Sequence, residues 1–230
     1  MDDEKYRAIR DRMVDELSAG AEITDRRVLD AMRRVPRHRF VPPDQTAYAY
    51  ENHPLPLPHG QTISQPLMVA LMLQAAQLTG NENVLEDGAG SGYQAAMLAE
   101  LAHRVTSIER LPSLAAGAAA ALHALGYTSV EVVVADGSLG WLKAAPYDRI
   151  LVAAAAPKIP APLLDQLAPN GILVIPVGSV RDQTLLIVVK DAEGAVSSRE
   201  AGWCAFVPLI GAAGWKEPPH EVAPVNRPAL

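Results

Sequence analysis

Val84-Leu85-Glu86-Asp87-Gly88-Ala89-Gly90-Ser91-Gly92-Tyr93 is the stretch on which the reading of the fold turns. A short apolar run meets two adjacent carboxylates and then glycines at every second position, and a helix-period pattern follows from Tyr93 to Ala102. Together these read as strand, tight turn and helix. Glycine admits φ > 0 and lets a ligand lie against the main chain, and the first turn of a helix leaves N–H groups without intrahelical partners. The plainer reading of the same residues is an ordinary strand–helix turn with no ligand.

Spacing separates the candidate ligands. A dinucleotide turn wants glycines at relative positions 0, 2 and 5. Here they fall at Gly88, Gly90 and Gly92 and the sixth place is Tyr93, which argues against a pyrophosphate cradle and an NAD oxidoreductase. The 0-2-4 pattern resembles S-adenosylmethionine-dependent methyltransferases, whose ligand carries no phosphate. Val105 to Glu109 then reads as a second strand, ending in an acid 21 positions after Gly88. A carboxylate there can accept hydrogen bonds from both ribose hydroxyls. Leu111 to Leu125 reads as a helix, with Pro112 in its first turn and Gly126 just past its end. Val130 to Val134 is a third strand, and Asp136-Gly137 follows it. Asp136 either accepts from an adenine amino group or only forms the turn.

Working outward toward the N-terminus, Lys5 to Leu17 has an amphipathic helical pattern, and Asp25 to Arg34 a second, with Thr24-Asp25 as cap and Pro36 as stop. Arg37-His38-Arg39 reads as a solvated bend, the alternative being a small anion site. Tyr48 to Gly60 holds Pro54, Pro56 and Pro58 alternating with Leu55 and Leu57, which predicts an ordered loop over the site. His53 and His59 have no second ligand at metal spacing and read as surface or hydrogen-bonded histidines. Gly60 to Pro66 gathers Gln61, Thr62, Ser64 and Gln65 ahead of a helix over Leu67 to Leu78. Ser64 is placed to cap that helix, and in the functional reading Ser64 and Thr62 face the ligand. No Gly-x-Ser-x-Gly elbow marks Ser64 as a nucleophile. Toward the C-terminus, Tyr147 to Val152, Gly171 to Val177 and Leu185 to Val189 are strands, Pro160 to Leu167 is a short helix, and Val196 to Pro208 is extended. The alternation predicts a mostly parallel sheet with helices on both faces and antiparallel pairing near the end.

At 230 residues the chain reads as one domain: a helical and loop addition over 1–80, a Rossmann-like core over 81–210 and a loosely held, proline-bearing tail over 211–230. A net charge of −6 disfavours nucleic acid, and no apolar run is long enough to span a bilayer. The one cysteine, Cys204, excludes an internal disulfide and reads as a buried, inert thiol. The acidic N-terminus lacks an apolar signal core, which points to the cytoplasm.

Several blocks resemble protein-L-isoaspartate (D-aspartate) O-methyltransferases: Val35 to Pro42, Gly60 to Ser64, Gly88 to Tyr93, Ser107 to Arg110, Asp136-Gly137, Pro146 to Ile150, Pro157 to Pro160 and Phe206 to Leu209. The resemblance implies a Rossmann-like α/β/α fold with an N-terminal helical addition. It implies methyl transfer from S-adenosylmethionine to the α-carboxylate of L-isoaspartyl, and possibly D-aspartyl, residues in damaged proteins and peptides, followed by succinimide closure. The cofactor would be bound by Thr62, Gly88, Gly90, Gly92, Glu109, Arg110, Asp136 and Gly137. Ser64, as the catalytic residue, and the backbone near Val207 would bind the substrate carboxylate. No metal, nucleic acid or membrane is expected, and a monomer is. The chain departs from the family pattern at Asp87, where a branched apolar residue is usual; its carboxylate either alters the cofactor pocket or, in the preferred reading, faces solvent at the strand's end. It departs also at Leu67, in place of a histidine, and at Ala135, in place of a glycine. Two other readings are an aspartimide-forming enzyme acting on one dedicated peptide and a non-catalytic cofactor-binding adaptor.

Overall fold

A computed structural model describes residues 2–20 and 22–216. The chain opens with two packed helices, α1 (Asp2–Ala19) and α2 (Arg26–Arg34). Asp25 caps α2 by accepting from Arg27 N–H, and Val28, Leu29 and Met32 bury its inner face. Arg37 and His38 do not lie on a solvated bend. Arg37 is fully buried, its Nε donates to Ala49 O at 2.8 Å, and its guanidinium lies over the Tyr93 ring at 4.8 Å. His38 Nδ1 meets the Tyr50 hydroxyl at 2.7 Å. These basic groups are committed to the core by partners far along the chain, and burial pushes the Arg37 guanidinium down to about 10.

The proline-rich segment forms β1 (Leu55–Leu57), paired antiparallel with β2 (Gln61–Ile63). His53 binds Glu51, and His59 Nε2 binds Ser113 Oγ. Helix α3 (Pro66–Ala76) follows, but Ser64 does not cap it. Pro66 is the first helical residue, so the capping position is Gln65, whose side chain makes no capping bond. Asn52 does that work across 15 residues: its Oδ1 accepts from Leu67 N–H at 3.0 Å.

The core continues as β3 (Asn83–Asp87), α4 (Tyr93–Ala99), β4 (Arg104–Glu109), α5 (Pro112–Ala124), β5 (Val130–Val134), β6 (Tyr147–Val152), α6 (Ala161–Gln166), β7 (Leu167–Gly178), β8 (Gln183–Lys190) and β9 (Val196–Cys204). The seven-stranded sheet runs β5-β4-β3-β6-β7-β8-β9. Pairing is parallel from β5 to β7 and antiparallel across β7-β8-β9. Strand residues alternate between two apolar layers, as a period of two requires. Val84, Leu151 and Val174 face the layer that holds α3 and α4, while Leu85, Ile150 and Leu173 face Leu163 of α6. From β3 the chain builds outward through β4 to β5, then returns to add β6 on the other side. The order reverses at that point, which opens a crevice beyond the carboxyl ends of β3 and β6.

After β9 the chain crosses back over this end. Cys204 is buried, and burial pushes its thiol up to about 12. Pro208 bridges to Ala155, Trp215 Nε1 donates to Ala155 O at 3.1 Å, and Ala212 N–H donates to Asp136 at 2.7 Å. The expected loose tail is therefore docked over 211–216; its four prolines, Pro218, Pro219, Pro224 and Pro228, lie outside the described residues. Among the described residues no helix is long and apolar enough to cross a membrane.

Candidate active site

The crevice at the switch point is a cleft walled by the turns after β3, β4 and β6, by the end of β2 and by the segment after β9. Gly88 (φ 99°) and Gly90 (φ 53°) turn the chain out of β3 in conformations that favour glycine. A Cβ on Gly88 would sit 3.4 Å from that of Ala153, and one on Gly90 would sit 3.7 Å from Leu57, so the β1–β2 hairpin lies against this turn. Gly88 and Ala89 N–H both donate to Ile108 O at 2.9 Å, tying the turn to β4.

Glu109 ends β4 in the cleft, 7% exposed. Its Oε2 accepts from Gly90 N–H and its Oε1 from Leu111 N–H, both at 3.0 Å. Each oxygen has a second lone pair, so the carboxylate can still accept from two hydroxyls. Thr62, Ser64, Arg110, Gly137 and Val207 also line the cleft. Ser64 is half-buried and its hydroxyl has no hydrogen-bond partner among the described residues. Phe206 N–H donates to Gln183 Oε1 and Leu209 N–H to Ala155 O. Between them the Val207 N–H has no partner among the described residues, leaving one donor in that segment.

Two expected cofactor residues are not among those that line the cleft. Gly92 (φ 89°) starts α4 behind the cleft, where a Cβ would press to 3.3 Å on that of Ala118; it is a packing position between α4 and α5. Asp136 is used by the protein itself. Its Oδ1 accepts from Ser138 N–H and Oγ, and its Oδ2 from Ala212 N–H, so it holds the turn and latches the returning segment.

Asp87 reverses its expected orientation. It is 5% exposed, lines the cleft, and its Oδ2 is buried without a hydrogen-bond donor. Burial, then the charges of Asp136 and Glu109, push its carboxyl up to about 8. The missed signal is that both faces of β3 are core, Val84 on one and Leu85 on the other, so neither direction leads to solvent and the pleat puts Asp87 on the Leu85 side. Glu86 points to the other face, outside the cleft, and accepts from Ser107 Oγ. Burial pushes it up to about 8 as well.

These residues fit a nucleoside that carries positive charge. Acceptors stand ready at Glu109, an unpartnered acid waits at Asp87, and Gly137 is flush against Asp87 Oδ1 with no space for a Cβ. By fold and cleft the chain falls in the class of S-adenosylmethionine-dependent methyltransferases. A solved structure of a protein-L-isoaspartate O-methyltransferase superposes with a TM-score of 0.79 at 25% identity, covering 89% of this chain and 67% of that one. A Plasmodium falciparum structure assigned to the same activity, in complex with S-adenosyl-L-homocysteine, shares the fold with a TM-score of 0.77 at 24% identity, covering 87% and 98%. The family model for protein-L-isoaspartate(D-aspartate) O-methyltransferase matches residues 8–214, and the chain belongs to that family. Among its relatives, protein-L-isoaspartate O-methyltransferase 1 of Syntrophobacter fumaroxidans is 53% identical over 92% of this chain and 98% of its own. The Aeropyrum pernix protein-L-isoaspartate O-methyltransferase is 52% identical over 94% and 85%.

Proposed function

We propose that this protein repairs isoaspartyl damage in cytoplasmic proteins by methylating the α-carboxylate of L-isoaspartyl residues, with Ser64 and the Val207 N–H holding that carboxylate. The supporting observation is that these two open donors line the same cleft as Glu109 and the glycine turn. Glu109 would hold the ribose, the Gly88–Gly90 turn would carry the cofactor's length, and Gly137 would border the base. S-adenosylmethionine supplies a methyl group on sulfur, which the carboxylate oxygen takes to give an ester and S-adenosylhomocysteine. A carboxylate of ordinary pKa near 4 is already ionised at pH 7, so no general base is required. The protein's task is to strip water from that oxygen and aim it, and alignment of this kind is worth roughly 7–11 kcal/mol in favourable cases. A single hydroxyl and one N–H orient the oxygen without over-stabilising the ground state.

The test is a methyl-transfer assay on an isoaspartyl peptide beside its aspartyl twin. Methylation of the isoaspartyl form alone is expected, and equal methylation of both would overturn the reading. Ser64→Ala should lower kcat by about tenfold or more while leaving the Kd for S-adenosylhomocysteine within about twofold, because one hydrogen bond to a charged group is worth about 1.5–3 kcal/mol.

A further inference from the structure

Asp87 differs from the other acids around the cleft in receiving no hydrogen-bond donor from the described residues. Glu109 accepts two backbone N–H groups, Asp136 accepts three donors, and Glu86 accepts a hydroxyl on the far side of the sheet. Asp87 Oδ2 is cut off from water and receives no donor, although the residue lines the cleft. An acid so placed sheds its charge by keeping its proton. The charges that bear on it are those of Asp136 after β5 and Glu109 at the end of β4, and the neighbouring Glu86 on β3 is a third acid. Among the described residues Arg110 is the one cation lining the cleft, and the linings after β6 (Ala153, Ala154) and after β9 (Val207 to Ile210) bring no ionisable side chain. Burial, reinforced by the neighbouring Asp136 and Glu109, holds the Asp87 carboxyl up at about 8.

We propose that Asp87 is the group by which this cleft distinguishes S-adenosylmethionine from S-adenosylhomocysteine: it is protonated in the free protein and beside the neutral product, and ionises when the cationic cofactor enters. The proposal rests on the reading that the cofactor lies in this cleft. Charge balances in the exchange. One positive charge enters with the sulfonium and one proton leaves to solvent, whereas the product brings no net charge and the proton stays. Affinity for the cofactor then rises with pH while affinity for the product does not, and product inhibition is relieved toward alkaline pH.

Isothermal titration calorimetry at pH 7.5, run in two buffers of different ionisation enthalpy, counts the protons. S-adenosylmethionine should release a large fraction of one proton and S-adenosylhomocysteine none. The ratio of the two affinities should rise about twentyfold between pH 6.5 and 8.5, within the limit of about tenfold per pH unit for one linked proton. Asp87→Asn should bind both ligands, release no proton and show a flat ratio. Equal proton counts for the two ligands in the native protein would overturn the proposal, and so would a pH-dependent ratio that survives in Asp87→Asn. If that variant does not fold, the native counts alone decide. If Glu109→Ala abolishes binding while the counts are equal, the cleft reading stands and the role of Asp87 falls. If Glu109→Ala leaves binding unchanged, the cleft reading falls and the proposal with it.

Discussion

At the scale of single residues, the cleft depends on side chains whose hydrogen bonds are nearly complete before a ligand arrives. Glu109 is already oriented by Gly90 and Leu111, so it meets a ribose without losing further rotamer freedom. Glu109→Gln keeps the shape but turns one accepting oxygen into an NH2 group, which cannot accept from Gly90 or Leu111 N–H, and leaves the remaining bonds neutral and about half as strong. Its Kd for S-adenosylhomocysteine should rise by about tenfold or more, read by calorimetry, and the backbone N–H left without an acceptor should lower unfolding free energy by about 1–3 kcal/mol. Gly137 makes a sharper case. A methyl group there would collide with Asp87 Oδ1, and Asp87, buried at the end of β3, has little room to swing aside. Gly137→Ala should cost about 1–3 kcal/mol in urea unfolding, the usual range for overpacking. Combining it with Asp87→Ala, which removes the colliding atom, should recover much of that loss. A double variant no more stable than Gly137→Ala would show that the collision is not the cause.

At the scale of elements, α3 carries Ser64 into place from one residue before its cap, and Asn52 closes its first turn from outside. Asn52→Ala should lower unfolding free energy by about 0.5–2 kcal/mol, as loss of a helix cap does. It should also lower kcat, because the chain leading into α3 is the one that bears Ser64. What could be read in advance divides along the same line. The β3–α4 and β4–α5 units were legible because each carries its own signals: a short apolar strand, turn glycines or a first-turn proline, and a helical period. The acid at the tip of β4 was legible because its distance from the glycine turn is a local count. Features settled by distant partners were not. Arg37 is buried because Ala49 O and the Tyr93 ring receive it, Asp136 is consumed by Ala212, and the segment 211–216 is held by Ala155 and Asp136. Nothing within a few residues of any of these announces the partner. Asp87 is the intermediate case: the pleat alone decided its direction, while its apparent place at a strand end suggested solvent.

For the molecule as a whole, burying Asp87 and Glu86 in one sheet makes stability depend on pH in an unusual direction. Both carboxyls are pushed up to about 8 in the folded protein, from 3.8 and 4.5, chiefly by burial. The folded state therefore binds more protons than the unfolded state between about pH 4 and 8. With more protons bound in the native form, the slope of unfolding free energy against pH is negative in that window. The stability these acids contribute is full below about pH 4 and is lost as pH rises through 8. Glu82 works in the opposite sense: its carboxyl is held below the usual range by hydrogen bonds from Thr79 and Gly80 that outweigh its burial, and its contribution is lost only on acidification. Each raised acid can remove up to about 1.4 kcal/mol per pH unit inside its window, equivalent to about 3–6 °C in Tm for a chain of this size. Differential scanning calorimetry of the ligand-free protein should show Tm falling from pH 5 to pH 8, with a shallower fall in Asp87→Asn. Saturating S-adenosylmethionine should flatten the native slope further than saturating S-adenosylhomocysteine does, because only the cation allows the Asp87 proton to leave the folded state at no loss. A Tm that climbs steadily over this window would mean that the sheet holds these two acids ionised, and that donors or water reach them.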